Sequence, residues 1–228
     1  MRSNAVSRSG SAASRSSLQG DALRADLVVK GWLACGFLSS LLYAAMNLFV
    51  PLLYEGYSLS SQTVSELSAI GAPTRTLWVW LGALFSLLVI GFGWGVWKSA
   101  GSNRALRALG AVTVINGAFM LYFPPMQMRG AEFALTDAMH IAWTVVTLLL
   151  MLLAMGFGAA AFGRRFRIYS IATIAILLTF GTLAGLDGPR VQANLPTPWV
   201  GVWQRIAIVA FLAWVLVLNT ILLRRERT

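Results

Sequence analysis

Six apolar stretches, each about 20 residues or longer, dominate the chain, at approximately 31–53, 77–97, 106–126, 138–162, 168–187 and 200–223. An α-helix rises about 1.5 Å per residue and the hydrocarbon core of a bilayer is about 30 Å thick, so each stretch is long enough to span. Six spans with short connections use most of the 228 residues, and no ordinary soluble domain fits in what remains. Charged residues are only 11% of the chain, against about 25% in soluble domains. The expected fold is all-α: a polytopic membrane bundle of six transmembrane helices formed by residues 27–228. Residues 1–26 are rich in Ser and Arg and hold no apolar run, which predicts a disordered basic cytoplasmic tail. Their bias also fits an organellar transit peptide, but a basic tail is the simpler account.

The net charge of +10 would suggest nucleic acid in a soluble protein. Here the basic residues sit between spans, and they alternate. Arg75, Arg129, Arg190 and Arg205 fall on one side, and the other fourteen of the 18 Lys and Arg residues fall on the opposite side. Those fourteen cluster at the N-terminus, in 98–107, in 163–167 and at the C-terminus. Basic loops remain in the cytoplasm, so both termini are expected inside a plasma membrane. Anionic lipid of the inner leaflet accounts for the excess charge, and no nucleic-acid partner is implied.

The first outer loop, about 54–76, is the longest connection and the richest in polar groups. Thr63 and Glu66 have capping-box spacing, Val64, Leu67 and Ile70 share a face, and Gly71 and Pro73 stop the element. The segment predicts a short amphipathic helix lying at the membrane interface. A functional alternative places Ser65 or Glu66 in a pocket over the bundle.

His140 is the only histidine, and Asp137 lies one turn before it on the same helical face. Asp137 either orients His140 for acid-base work or caps the fourth span while His140 bonds a neighbouring helix. Near the fifth and sixth spans, Asp187 and Arg190 lie in a turn, and Trp203, Gln204 and Arg205 open the last span. A guanidinium one turn inside an apolar segment needs a partner, for which Asp187, Glu66 and Asp137 are available carboxylates and lipid phosphate is the alternative. Asn47 and Asn116 suit interhelical hydrogen bonds, Pro124-Pro125 ends the third span, and Trp78, Trp80, Trp199 and Trp203 suit interfacial belts.

Cys35, the single cysteine, allows no intramolecular disulfide and no thiolate cluster. The chain has no His-Glu-x-x-His, phosphate-loop or dinucleotide motif, so no metal and no cofactor are expected. No span carries a charge near its middle, which argues against ion pumping.

The stretch Val64-Ser65-Glu66-Leu67-Ser68-Ala69-Ile70-Gly71-Ala72-Pro73, the Asp137/His140 pair and Trp203-Gln204-Arg205 together resemble the prokaryotic six-helix membrane family catalogued as domain of unknown function 998. The resemblance covers roughly residues 30–225. It implies a bacterial or archaeal plasma-membrane protein and no established activity. Many members have Glu where Gln204 stands, so a carboxylate implied by the family is absent here.

Three functions compete. One is a non-enzymatic protein whose outer pocket, from loop 1 and the starts of spans 4 and 6, engages membrane lipids or a membrane protein partner. Another is a hydrolase or transferase acting on lipid headgroups, with His140 as acid-base group, Asp137 orienting it, Glu66 or Ser65 assisting and Arg205 holding phosphate. The third, a small-solute transporter, lacks an internal repeat and a polar mid-membrane site. The sidedness is tested directly: a green fluorescent protein fused after Thr228 should fluoresce in cells, whereas alkaline phosphatase fused there should be inactive.

Overall fold

The computed structural model describes residues 5–225; Arg2 at one end and Glu226 and Arg227 at the other lie outside them. The described residues are helical, with no strand among them. Six long helices run in chain order: α1 (Ala5–Phe49), α2 (Arg75–Lys98), α3 (Arg104–Met120), α4 (Leu135–Ala161), α5 (Arg164–Leu186) and, after a five-residue helix α6 (Gly188–Gln192), α7 (Val200–Arg225). Two short 3-10 helices, Val50–Leu53 and Val64–Ser68, lie between α1 and α2. Each long helix packs on the next, and α7 packs on α1. The six close into a ring.

Five segments are long and apolar enough to cross a membrane: Asp26–Leu53, Arg75–Lys98, Leu135–Ala161, Arg164–Gln192 and Val200–Arg225. Large apolar side chains such as Leu41, Leu87, Leu149, Ile171 and Val209 face outward from them, as lipid-facing positions do and as a soluble surface would not tolerate in such number. The sixth helix, α3, has 17 residues and is about 25 Å long. The sequence predicts that this span runs to 126, but the helix stops at Met120. Proline disfavours helical geometry in the residue before it and offers no N–H, so the Pro124-Pro125 pair keeps the exit extended.

Helix α1 begins at Ala5, inside the Ser- and Arg-rich segment, and runs without a break into the first span. One further expectation is corrected. Trp78, placed by sequence in an interfacial belt, is 5% exposed and packs with Met46, Val50, Val64 and Leu67 under the first loop. Trp80 and Trp199 are exposed, as a belt requires.

The main core holds Leu33, Phe92, Leu109, Met155, Trp214 and Leu218, drawn from five helices. Trp214 donates its indole N–H to Ser170 Oγ at 2.9 Å, linking α7 to α5. Asn47 donates to the Tyr43 carbonyl of its own helix at 2.9 Å rather than across the bundle. Helices α2 and α3 approach closely through glycine. A Cβ on Gly110 would lie 2.6 Å from the Trp97 nitrogen, and one on Gly93 would lie 2.7 Å from the Val114 nitrogen. Small residues permit such approach where no hydrophobic effect drives helices together. Gly110→Ala should therefore lower the melting temperature in detergent, although alanine favours helix by about 1 kcal/mol. Gly156→Ala, with nothing within 4 Å of its Cβ, should leave it unchanged or raise it.

Candidate functional site

Three loops cover one end of the ring: residues 54–74, 121–134 and 187–199. The other end has only the short turns 99–103 and 162–163 between helices. Polar side chains stitch the three loops into a cap, and the predicted site residues lie in or beside it.

The segment predicted as a short amphipathic helix forms as the 3-10 helix Val64–Ser68, and its capping box is present. Thr63 N–H donates to Glu66 Oε2 at 2.6 Å, and Glu66 N–H donates to Thr63 Oγ1 at 3.3 Å. Gly71 follows with φ +92, a left-handed turn that favours glycine. The carboxylate side of this helix is buried rather than exposed. Val64, Glu66, Leu67 and Ser68 are all buried, because the polar side has its own partners inside the cap.

Those partners centre on Arg129. Glu66 is 3% exposed, and Arg129 meets it with two bonds, Nε to Oε1 at 2.9 Å and Nη2 to Oε2 at 3.1 Å. Arg129 also donates through Nη2 to the Ser61 carbonyl at 2.9 Å, and through Nη1 to the Leu195 carbonyl at 3.2 Å and Thr197 Oγ1 at 3.0 Å. A guanidinium has five N–H groups, and all five are used here on two other loops. Sequence reasoning missed this role. The available signal was that Glu66, in a segment poised to be buried, needed a cation.

Arg205 takes no carboxylate. Its Nη1 donates to the Leu59 carbonyl at 2.8 Å and to the Gly201 carbonyl of its own helix at 3.1 Å, and its Nη2 donates to the Tyr57 hydroxyl at 2.9 Å. Its Nε is buried without a hydrogen-bond partner. Burial pushes the Tyr57 hydroxyl above its ordinary range, while the Arg205 bond and charge pull it back in part. That hydroxyl donates in turn to the Thr63 carbonyl at 2.8 Å. Beside Arg205, Gln204 Oε1 accepts from Val64 N–H at 2.6 Å. An amide oxygen serves there as well as a carboxylate, so the glutamine costs the cap no hydrogen bond. Gly201 lets loop 1 rest directly on α7: a Cβ there would clash with the Leu59 and Gln62 carbonyls.

His140, 7% exposed, makes two ring bonds. Nδ1 lies 2.8 Å from the Pro124 carbonyl and Nε2 lies 3.1 Å from Ser65 Oγ. The predicted orienting role of Asp137 is not what its carboxylate does. Its Oδ1 accepts from Gln127 N–H at 2.7 Å and its Oδ2 from Ala134 N–H at 2.9 Å, which caps α4. First-turn N–H groups have no partner within the helix, so a carboxylate there has prior demand on it.

The expected convergence of Glu66, His140 and Arg205 therefore resolves into three separate attachments to loop 1. Glu66 binds Arg129, Arg205 binds carbonyls and Tyr57, and His140 meets Ser65 in place of a carboxylate. Asp187 and Arg190 form a loose pair at 3.9 Å, away from Arg205, and Arg190 spans its own loop to the Pro196 carbonyl at 2.9 Å. Trp203 meets Trp199 and Phe180 with tilted rings, centroids 6.3 and 5.6 Å away. Among the described residues no group of three or more His, Cys, Asp or Glu side chains is placed to hold a metal ion.

Below the Arg205 end of the cap lies an apolar groove of about 570 Å³. Its walls are Ile176 of α5 and Val202, Ile206, Val209 and Ala210 of α7, and Leu59, Ser60 and Arg205 stand with them. Both walls belong to segments able to cross a membrane.

The family model described as "Protein of unknown function (DUF998)" matches residues 37–220. The chain belongs to this family. The match takes in the whole cap, including Ser65, Glu66, Arg129, His140 and Arg205. No curated protein matches the chain, and neither does any solved structure.

The Arg129 junction carries the clearest energetic consequence. Removing one member of a buried pair strands the other charge, which costs about 3–5 kcal/mol. Arg129→Ala should lower thermal stability in detergent sharply, and the double variant Arg129→Met with Glu66→Met should recover much of the loss. Arg190→Ala, at the exposed pair, should change little by the same measurement.

Proposed function

We propose that this family member is a plasma-membrane protein, both termini cytoplasmic, whose outer cap and adjoining groove hold a membrane lipid with an anionic headgroup. The observation that carries the reading is the apolar groove with Arg205 at its cap end. The distribution of basic residues supports the sidedness, since the capped end carries only Arg75, Arg129, Arg190 and Arg205.

Lipid tails are already in an apolar solvent, so the hydrophobic effect adds nothing when one enters the groove. Retention comes from packing along Ile176, Val202, Ile206 and Val209, and selectivity comes from the headgroup end. There Arg129 is balanced by Glu66 and Arg190 by Asp187, while Arg205 has only carbonyls and a phenol. Its positive charge favours a phosphate over a neutral headgroup. Such a role needs no chemistry.

The test uses the purified protein in phosphatidylcholine vesicles carrying a trace of phosphatidylglycerol with a photoactivatable acyl chain. Adducts should map to the α5 and α7 peptides that hold Ile176 and Val209. Ala210→Trp, which fills the groove, should cut their yield several-fold, and unlabelled phosphatidylglycerol should compete better than phosphatidylcholine. Adducts spread evenly around the helix ring, or a yield indifferent to the tryptophan, would overturn the reading.

A further inference from the structure

Among the described residues, the buried serines spend their hydroxyl on their own backbone. Ser39, Ser40, Ser68, Ser86 and Ser170 each donate to a carbonyl three or four residues back. Ser65 differs. Its Oγ lies 3.1 Å from a ring nitrogen of the only histidine.

The direction of that bond follows from the other nitrogen. The Pro124 carbonyl can only accept, so His140 Nδ1 carries the proton at 2.8 Å. In neutral imidazole Nε2 is then the acceptor, and Ser65 O–H donates to it. The ring cannot easily turn away. Phe123 stands edge-on at 5.3 Å and Trp143 lies nearly parallel at 6.0 Å. Ser65 itself is only half-buried and sits in a capped, ion-paired loop. A hydroxyl aimed at an immobilised base in the correct tautomer is the arrangement that activates a serine nucleophile.

We propose that Ser65 and His140 form a nucleophile–base dyad that cleaves or transfers carboxylic esters at the membrane surface. His140 lies about 7 Å along α4 from its first residue, at the capped end of a helix able to cross a membrane. In the first step Ser65 Oγ bonds to the ester carbonyl carbon and its proton passes to His140 Nε2. The intermediate collapses, the carbon–oxygen bond to the alcohol breaks, and Nε2 returns the proton to that alcohol. In the second step Nε2 takes a proton from water, whose oxygen attacks the acyl-serine, and the carboxylic acid leaves as Ser65 recovers its proton. An alcohol in place of water gives transfer. Pro124 acts through His140 as a positioning group: its carbonyl fixes the tautomer but brings no full negative charge to the imidazolium. The dyad faces α4, while the lipid groove lies between α5 and α7, so the two readings stand independently.

The experiment treats the purified, detergent-solubilised protein with a fluorophosphonate probe and maps the adduct by mass spectrometry. Wild type should be labelled on Ser65, Ser65→Ala should lose that adduct, and His140→Gln should slow labelling about a hundredfold, the scale of a lost general base. Folded wild type that takes no label, or label on another serine only, overturns the proposal without reference to any variant. If His140→Gln melts like wild type and labels at the same rate, His140 is only a tie between loop and helix, and the proposal is likewise overturned.

Discussion

The bidentate contact between Arg129 and Glu66 holds the capped end together. Glu66 is taken out of water and Arg129 largely so, in a loop region above an apolar core, and such burial is costly unless the lone pairs and N–H groups find partners. Here the requirement is met across three connections. Thr63 and Gln62 supply donors to the carboxylate, and Ser61, Leu195 and Thr197 accept from the guanidinium. The pair thereby fixes one arrangement of loops that would otherwise slide over one another. Ser65, next in chain to Glu66, inherits its position from that arrangement.

The broken third helix makes a second contribution. Because Pro124-Pro125 cannot continue α3, the Pro124 carbonyl is free of helical duty and accepts from His140 instead. Asp137, one turn earlier on α4, holds the returning chain at Gln127. One chain break thus sets both the length of a span and the orientation of the only imidazole. Ile70 N–H pairs with the Met126 carbonyl at 2.9 Å in the same stretch, so the first and second loops also meet by backbone.

What could be read from the sequence was local. The spans follow from runs of apolar residues, the Thr63–Glu66 cap from a three-residue spacing, and the end of the third span from two prolines. What could not be read was partner choice across the chain. Glu66 and Arg129 are 63 residues apart, Val64 and Gln204 are 140 apart, and Arg205 and Leu59 are 146 apart. A charge inside an apolar segment announces that it needs something. It does not announce that carbonyls of a distant loop will suffice in place of a carboxylate. Trp78 failed for the same reason: an aromatic ring near a span end suits lipid or a loop folded over it equally well.

Ring closure between α1 and α7 has a consequence for how the molecule comes into being. Loop 1 leaves the ribosome well before the residues that seat it, Gly201, Gln204 and Arg205, exist. At about 5–20 residues per second the gap is on the order of ten seconds. Throughout that interval the carbonyl of Leu59 and the amide of Val64 lack the α7 partners they have in the finished fold. The finished cap is thus a late event of biogenesis, and a chain halted before its last span lacks the residues that seat loop 1.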